Sequence, residues 1–284
     1  MQLAEEGKDK FPLASKGLVS DLYIDDIVSS IPNLHEAKQL QSELIACMQS
    51  GGFELRKWSA IHPSLLGNIL SGHRQQHFSF SMPKKISFIK ILGLKWNPGC
   101  DSFSYTVESL DHPCTKRTIL SSVARVFDSL GILAPLTFFT KHLIQHLWSM
   151  GLDWDQVPPI DVLEKWEKYR AELPLISNLS ITGPLCEETF LKCELHGFAD
   201  SSEKGYAAVI YFRYLSKNGI KVTFVCAKSK IAPLKRLSLS RLELCAAVLL
   251  ARLTSFILNT YSSKLHFSKG IAWSDSTTVL DCIK

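Results

Sequence analysis

Apolar and polar positions follow three different patterns along this chain. From about 18 to 107 the pattern is mixed. An apolar stretch interrupted by acids, Leu18 to Val28, leads through a turn into a helix predicted over Leu34 to Ser50, which Gly51 and Gly52 stop. Strands are predicted at Phe53 to Trp58 and at Ile86 to Trp96, the second closed by Asn97-Pro98-Gly99. From about 113 to 190 the period becomes helical. Ile119, Val123, Val126, Phe127 and Leu130 share one face of a helix predicted over Thr115 to Leu130 and ended by Gly131 and Pro135. Further helices are predicted over Thr137 to Met150 and Asp161 to Leu173. The last places Val162, Trp166, Tyr169 and Leu173 on one face, and GLDWDQVPP before it reads as an exposed turn.

From Leu191 the pattern changes again. Strands are predicted at Leu191 to Asp200, Tyr206 to Tyr214 and Ile220 to Ala227, joined by the short connections SSEKG and SKNG, so an antiparallel meander is expected. A helix over Ser240 to Leu258, a strand over Ile271 to Ser274 and a helix starting at Thr277 make this segment α/β.

Composition narrows the class. A length of 284 residues suggests about two domains, and 46% apolar with 21% charged residues is ordinary globular usage. The longest apolar run, Leu244 to Leu258, is broken by Arg252 and reads as a buried helix, and MQLAEEGKDKF has no signal-peptide core. A membrane-spanning or secreted chain is therefore not expected, and an intracellular one is. The eight cysteines form no C-x-x-C pair, so a reduced chain without a cysteine-based metal site is expected. The net charge of +5 is uneven: residues 195–284 hold 13 Lys/Arg against 5 Asp/Glu, which points to a polyanionic partner.

Three of those five acids stand at informative places: Asp200 at the end of the first strand, Glu243 in the first turn of the helix, and Asp275 at the end of the fourth strand. Carboxylates at strand ends and on a facing helix can converge at one sheet edge and hold Mg²⁺ or Mn²⁺ through hard oxygens. Two such ions can activate water against a phosphodiester. Each acid also has a local reading. Asp200 opens the SSEKG turn, Asp275 caps the following helix, and Ser240-x-x-Glu243 forms a capping box. The order strand, helix, strand favours the shared site. Between the third strand and the helix, Lys228, Lys230, Lys235, Arg236 and Arg241 stand in a stretch without an acid, which suits phosphate contact; a merely solvated loop is the other reading.

HGFADSSEKGYAAVIY, KSKIAPLKRLSLSRLELCAAVLLARL and WSDSTTVL together resemble the ribonuclease H domain of BEL/Pao-type LTR retrotransposons. The resemblance implies that Asp200, Glu243 and Asp275 are metal ligands, with a fourth acid and further helices beyond. Near the other end, Tyr23-Ile24-Asp25-Asp26 resembles the Y-x-D-D hairpin of reverse transcriptases, in which Asp25 holds catalytic Mg²⁺ and Asp26 supports the site. A plain Asp-Asp hairpin turn is the local alternative. Gly52 to Trp58 and Ile91 to Trp96 are similar to the palm continuation and primer grip, and Thr115 to Pro135 to the thumb.

The resemblance implies an α/β and α+β multi-domain chain. Residues 1–112 are then a palm remnant with the YIDD hairpin, 113–190 a helical thumb or connection, and 191–284 a ribonuclease H-like mixed sheet with helices. The implied setting is a Pol polyprotein in a cytoplasmic particle or the nucleus. The expected partners are an RNA–DNA hybrid or other nucleic acid and the rest of Pol, with no membrane. An earlier palm Asp and fingers are missing before Asp25, so the chain is not expected to polymerise DNA alone. The alternative is a catalytically inactive nucleic-acid-binding remnant. An aspartic peptidase, a name sometimes given to this part of Pao elements, ranks below both because no Asp-Thr/Ser-Gly triplet occurs. His142 and His146 have zincin spacing, but Leu143 stands where the general-base Glu belongs.

Overall fold

A computed structural model of the chain describes residues 2–75, 88–91, 93–106, 113–183, 185, 190–262 and 264–283. They form two compact units, 1–91 with 95–103 and 92–94 with 104–284.

In the first unit, α1 (Gln2–Glu6), α2 (Pro12–Ser20) and α3 (Leu34–Ser50) pack around Ala4, Ala14, Leu18, Leu40, Leu44 and Cys47. The α3 boundaries are those predicted. Asn33 Oδ1 caps its start by accepting from Glu36 N at 2.8 Å. From α3, Glu43 Oε2 accepts from Leu13 N at 2.7 Å and Ala14 N at 3.2 Å, so one helix satisfies the free amides of another. Between α2 and α3, β1 (Leu22–Tyr23) and β2 (Asp26–Ile27) form an antiparallel hairpin with Tyr23 opposite Asp26.

The strand expected at Phe53 to Trp58 is not formed. Lys57 takes φ +57°, which breaks the extended run, and only an isolated bridge joins Trp58 to Arg74. The stretch expected as one strand to Trp96 is divided where described, into β3 (Ile89–Ile91) and β4 (Leu94–Asn97). Residues 86, 87 and 92 of it lie outside the described residues. The strand β5 (Ser102–Ser104) follows.

The second unit opens with α4 (Lys116–Arg125), α5 (Ala134–Ser149) and α6 (Ile160–Glu172), then the short β6 (Ile181–Thr182). Thr115 and Thr118 form a capping box on α4. This helix ends at Arg125 rather than at the expected Leu130, for a tertiary reason. The Leu130 carbonyl accepts from Ala227 N at 2.8 Å, so a neighbouring strand draws the backbone out of the helix. Gly131, at φ +78°, lies so close to that strand that a Cβ would fall 1.9 Å from the Ala227 oxygen. Pro135, expected as a stop, instead stands in the first turn of α5, where its missing N–H has no cost.

Four strands complete this unit: β7 (Lys192–Ser202), β8 (Gly205–Ser216), β9 (Gly219–Ile231) and, after α7 (Leu239–Tyr261), β10 (Phe267–Trp273), with α8 (Thr277–Ile283) last. The sheet order is β10-β7-β8-β9. The meander is antiparallel as expected, and β10 joins β7 in parallel. Two-residue loops close both hairpins. Ser202 Oγ accepts from Lys204 N at 3.3 Å in one, and Ser216 Oγ accepts from Asn218 N at 3.2 Å in the other.

The core of the sheet follows the period of two. Ala208, Ile210, Phe212 and Tyr214 of β8 are buried, together with Cys193 and Leu195 of β7, and all pack with Ala246, Leu249, Leu250 and Ile257 of α7. Each such large side chain contributes about 1.5–3 kcal/mol on burial. By length and composition α7 could cross a membrane, with a mean hydropathy of 1.6 over its best window, but its apolar stripe is the one that covers this sheet.

Candidate metal and nucleic-acid site

Register sets two of the three acids level. Trp273, the last residue of β10, pairs with Phe198 of β7; Asp200 stands two residues further along β7, and Asp275 two residues past the end of β10. The third acid comes from α7, which lies across β7 and β8. The helix approaches β7 closely because residue 197 is glycine: a Cβ there would fall 2.5 Å from Leu250 Cδ1. Glu243, just past the first turn of α7, thereby reaches the same edge. One carboxylate oxygen each from Asp200, Glu243 and Asp275 lie within 4.8 Å of one another, with Asp200 and Asp275 exposed and Glu243 half-buried.

None of these acids makes the local bond its sequence position suggests: serine side chains serve the β7–β8 turn and the start of α8, and the N-cap of α7 has no side-chain hydrogen bond. Asp200 is still inside β7, and the turn is made by Glu203 and Lys204 with Ser202 Oγ bonded into it. Asp200 Oδ1 accepts only from the next amide, Ser201 N, at 2.6 Å. Ser238, not Ser240, holds the N-cap of α7, and Glu243 makes no capping bond. At α8 the cap is Ser276, whose Oγ accepts from Val279 N at 3.4 Å. The carboxylates are thus left over from secondary-structure bonding.

Among the described residues, two buried atoms here make no hydrogen bond, Glu243 Oε2 and Ser201 Oγ. A buried carboxylate oxygen without a donor is costly, and two further carboxylates nearby add repulsion. A divalent cation answers both costs. The donor set is all oxygen, which suits a hard ion, so the residues present fit such a group.

The basic residues are distributed differently from the single loop expected. Strand β9 runs to Ile231, so Lys228 and Lys230 are strand residues opposite Ala208 and Tyr206. Lys235 and Arg236 lie in the connection, and Arg241 is on α7. All five are exposed. Arg236 reaches Glu203 at 3.6 Å, a solvated pair of little weight.

In the first unit, the turn Ile24-Asp25 sits between β1 and β2, and Asp26 is the first residue of β2. Both acids are exposed, and among the described residues no group of three or more metal-ligating side chains includes them. Ile24 takes φ +57° at the tip.

Sequence reasoning missed a polar chain across the sheet. Glu194, 7% exposed, bonds Lys192 Nζ at 2.9 Å, Arg213 NH1 at 2.8 Å and His196 Nε2 at 3.2 Å. Lys192 first, then His196 and Arg213, hold its carboxyl at a pKa of about 2 against an ordinary 4.5, with desolvation opposing. His196 Nδ1 in turn accepts from Trp273 Nε1 at 3.2 Å. The signal was present in the alternation of β7, which puts Glu194, His196 and Phe198 on one face.

Residues 115–276 match the Pao retrotransposon-like RNaseH-like domain. No curated protein matches the chain. Among solved structures, a foamy viral protease–reverse transcriptase in complex with RNA/DNA hybrid aligns with a TM-score of 0.51 at 12% identity, over 96% of this chain and 32% of that one. The foamy viral protease–reverse transcriptase in complex with dsDNA aligns with a TM-score of 0.47 at 14% identity, over 99% and 51%. The chain thus spans about a third of the first of these. The shared feature is the fold, and the mixed α/β and α+β class expected from the sequence is the one found.

Proposed function

This chain belongs to the Pao retrotransposon RNase H-like family, and on that premise we propose that it binds RNA–DNA hybrid and hydrolyses the RNA strand with two divalent cations, Mg²⁺ or Mn²⁺, held by Asp200, Glu243 and Asp275. The observation that carries this reading is the convergence of one carboxylate oxygen each from Asp200, Glu243 and Asp275 within 4.8 Å, with the Oε2 of Glu243 buried and unbonded among the described residues. When bound, the cations supply positive charge at the scissile phosphate and a water of lowered pKa.

The chain's own residues do the rest. Glu243, half-buried on a long helix, supplies one oxygen; Asp200, inside β7, and Asp275, two residues past the end of β10, complete the cluster. Lys228, Lys230, Lys235, Arg236 and Arg241 offset phosphate charge along the path from β9 into α7 without reading bases. Asp25 and Asp26 are assigned to a reverse-transcriptase palm hairpin by their sequence alone, with Asp25 as its metal ligand, and hydrolysis does not use them.

The test is incubation of the chain with end-labelled RNA annealed to DNA. Mg²⁺-dependent cutting of the RNA, with the DNA intact, is expected, and Asp200→Asn is expected to lower the rate on the order of a thousand-fold, the several kcal/mol that metal assistance supplies. Undiminished cutting by Asp200→Asn overturns the reading. A second reading, binding without hydrolysis, rests on the five exposed basic side chains alone. Salt-sensitive hybrid binding without cutting would select that inactive, binding-only form.

A further inference from the structure

We propose that Trp273 is the positioning residue for Asp275, holding the end of β10 in register so that this carboxylate stays beside Asp200; the assignment rests on the nuclease reading above. Among the described residues strand β10 pairs with β7, and it buries none of its own residues. Its register slips at the start, between Phe267 and Lys269. Backbone pairing with β7 therefore does not by itself fix the register of its end.

Its last residue supplies the anchor. The Trp273 ring stacks against both His196 and Phe198, with centroids 6.1 Å away in each case and planes inclined by 13° and 10°. Its Nε1 donates to His196 Nδ1 at 3.2 Å. An indole N–H can only donate, so Nδ1 of His196 must accept and the imidazole proton sits on Nε2, facing Glu194 Oε2 at 3.2 Å. Arg213 of β8 holds that same Glu194 oxygen at 2.8 Å. A hydrogen-bonded chain therefore runs across three strands, β10 to β7 to β8, and ends two residues from the metal ligand. On the other side of Asp275, α8 is fixed by Val279, 2% exposed. The segment Ser274-Asp275-Ser276 is strung between these two anchors, and Trp273 is the nearer one on the strand side.

The experiment compares the full chain with Trp273→Ala and Trp273→Phe by amide hydrogen exchange and by Mn²⁺ binding calorimetry. For Trp273→Ala, faster exchange confined to residues 271–276 and Mn²⁺ affinity lowered about 10–100-fold are expected, the range for residues that orient metal ligands. Trp273→Phe, which keeps the ring and loses the N–H, falls between it and the wild type. Unchanged Mn²⁺ affinity in Trp273→Ala, with uptake by the wild type, overturns this assignment alone. Exchange that rises equally through α7 also overturns it, because it marks a general structural role. Absence of Mn²⁺ uptake by the wild type overturns the nuclease reading and this assignment together.

Discussion

The chain carries two acidic groups that read as metal sites in the sequence, and they fold in opposite ways. Asp25 and Asp26 are adjacent and stay on a small exposed hairpin. Asp200, Glu243 and Asp275 are dispersed over the last third of the chain and meet within 4.8 Å. Adjacency in sequence is a weak guide to a shared site. Asp25 is in the turn and Asp26 opens β2, and among the described residues this hairpin brings no third metal-ligating side chain to them. Convergence needs separate elements brought to one edge, and here parallel register and a helix crossing at Gly197 do that.

The largest expected effect that separates the two groups is on hybrid cleavage. Asp275→Asn is expected to lose on the order of a thousand-fold in rate, whereas Asp25→Asn leaves the rate unchanged. Equal losses in both variants, measured under identical Mg²⁺, would break the contrast.

A smaller effect concerns stability without metal. Ionised carboxylates 4.8 Å apart repel by about 1 kcal/mol in a water-like dielectric. Glu243→Gln is therefore expected to raise the thermal midpoint in EDTA and to remove the stabilisation that Mg²⁺ gives the wild type. A lowered midpoint in EDTA would mean that Glu243 is bonded after all.

The last effect is confined to acid and sharpens the contrast with a third acid. Glu194 is matched by Lys192, His196 and Arg213, whereas the three clustered acids form no ion pair among the described residues. Its folded pKa of about 2 lies below the ordinary 4.5, so its contribution is complete above pH 4.5 and is lost as pH falls towards 2. Unfolding of Glu194→Gln is expected to show a shallower loss of stability across that window than the wild type. Identical slopes would remove Glu194 from the acid response.

Much of the second unit was legible from pattern. The alternation of β8 and the helical stripe of α7 are core signals, and the breaks between strands are marked by Ser202, Gly205 and Gly219. The errors came where another part of the chain intervened. Residues after Arg125 keep a helical pattern yet leave the helix, because Ala227 takes the Leu130 carbonyl. Phe53 to Trp58 has strand composition, but Lys57 turns into a left-handed conformation. Lys228 and Lys230 read as loop residues, yet pairing with β8 extends β9 through them.

By itself the sequence determined the order of the later strands and helices, the surplus of basic residues in the last third, and the three acids that stand there nearly alone. These are local or additive properties, readable one residue or one period at a time. Only the tertiary structure decided that serines take the turn and cap positions, that Trp273 reaches His196, and that an oxygen of Glu243 is buried without a donor. Each of those depends on which elements approach and at what register, and backbone pairing and side-chain packing between distant segments set that jointly.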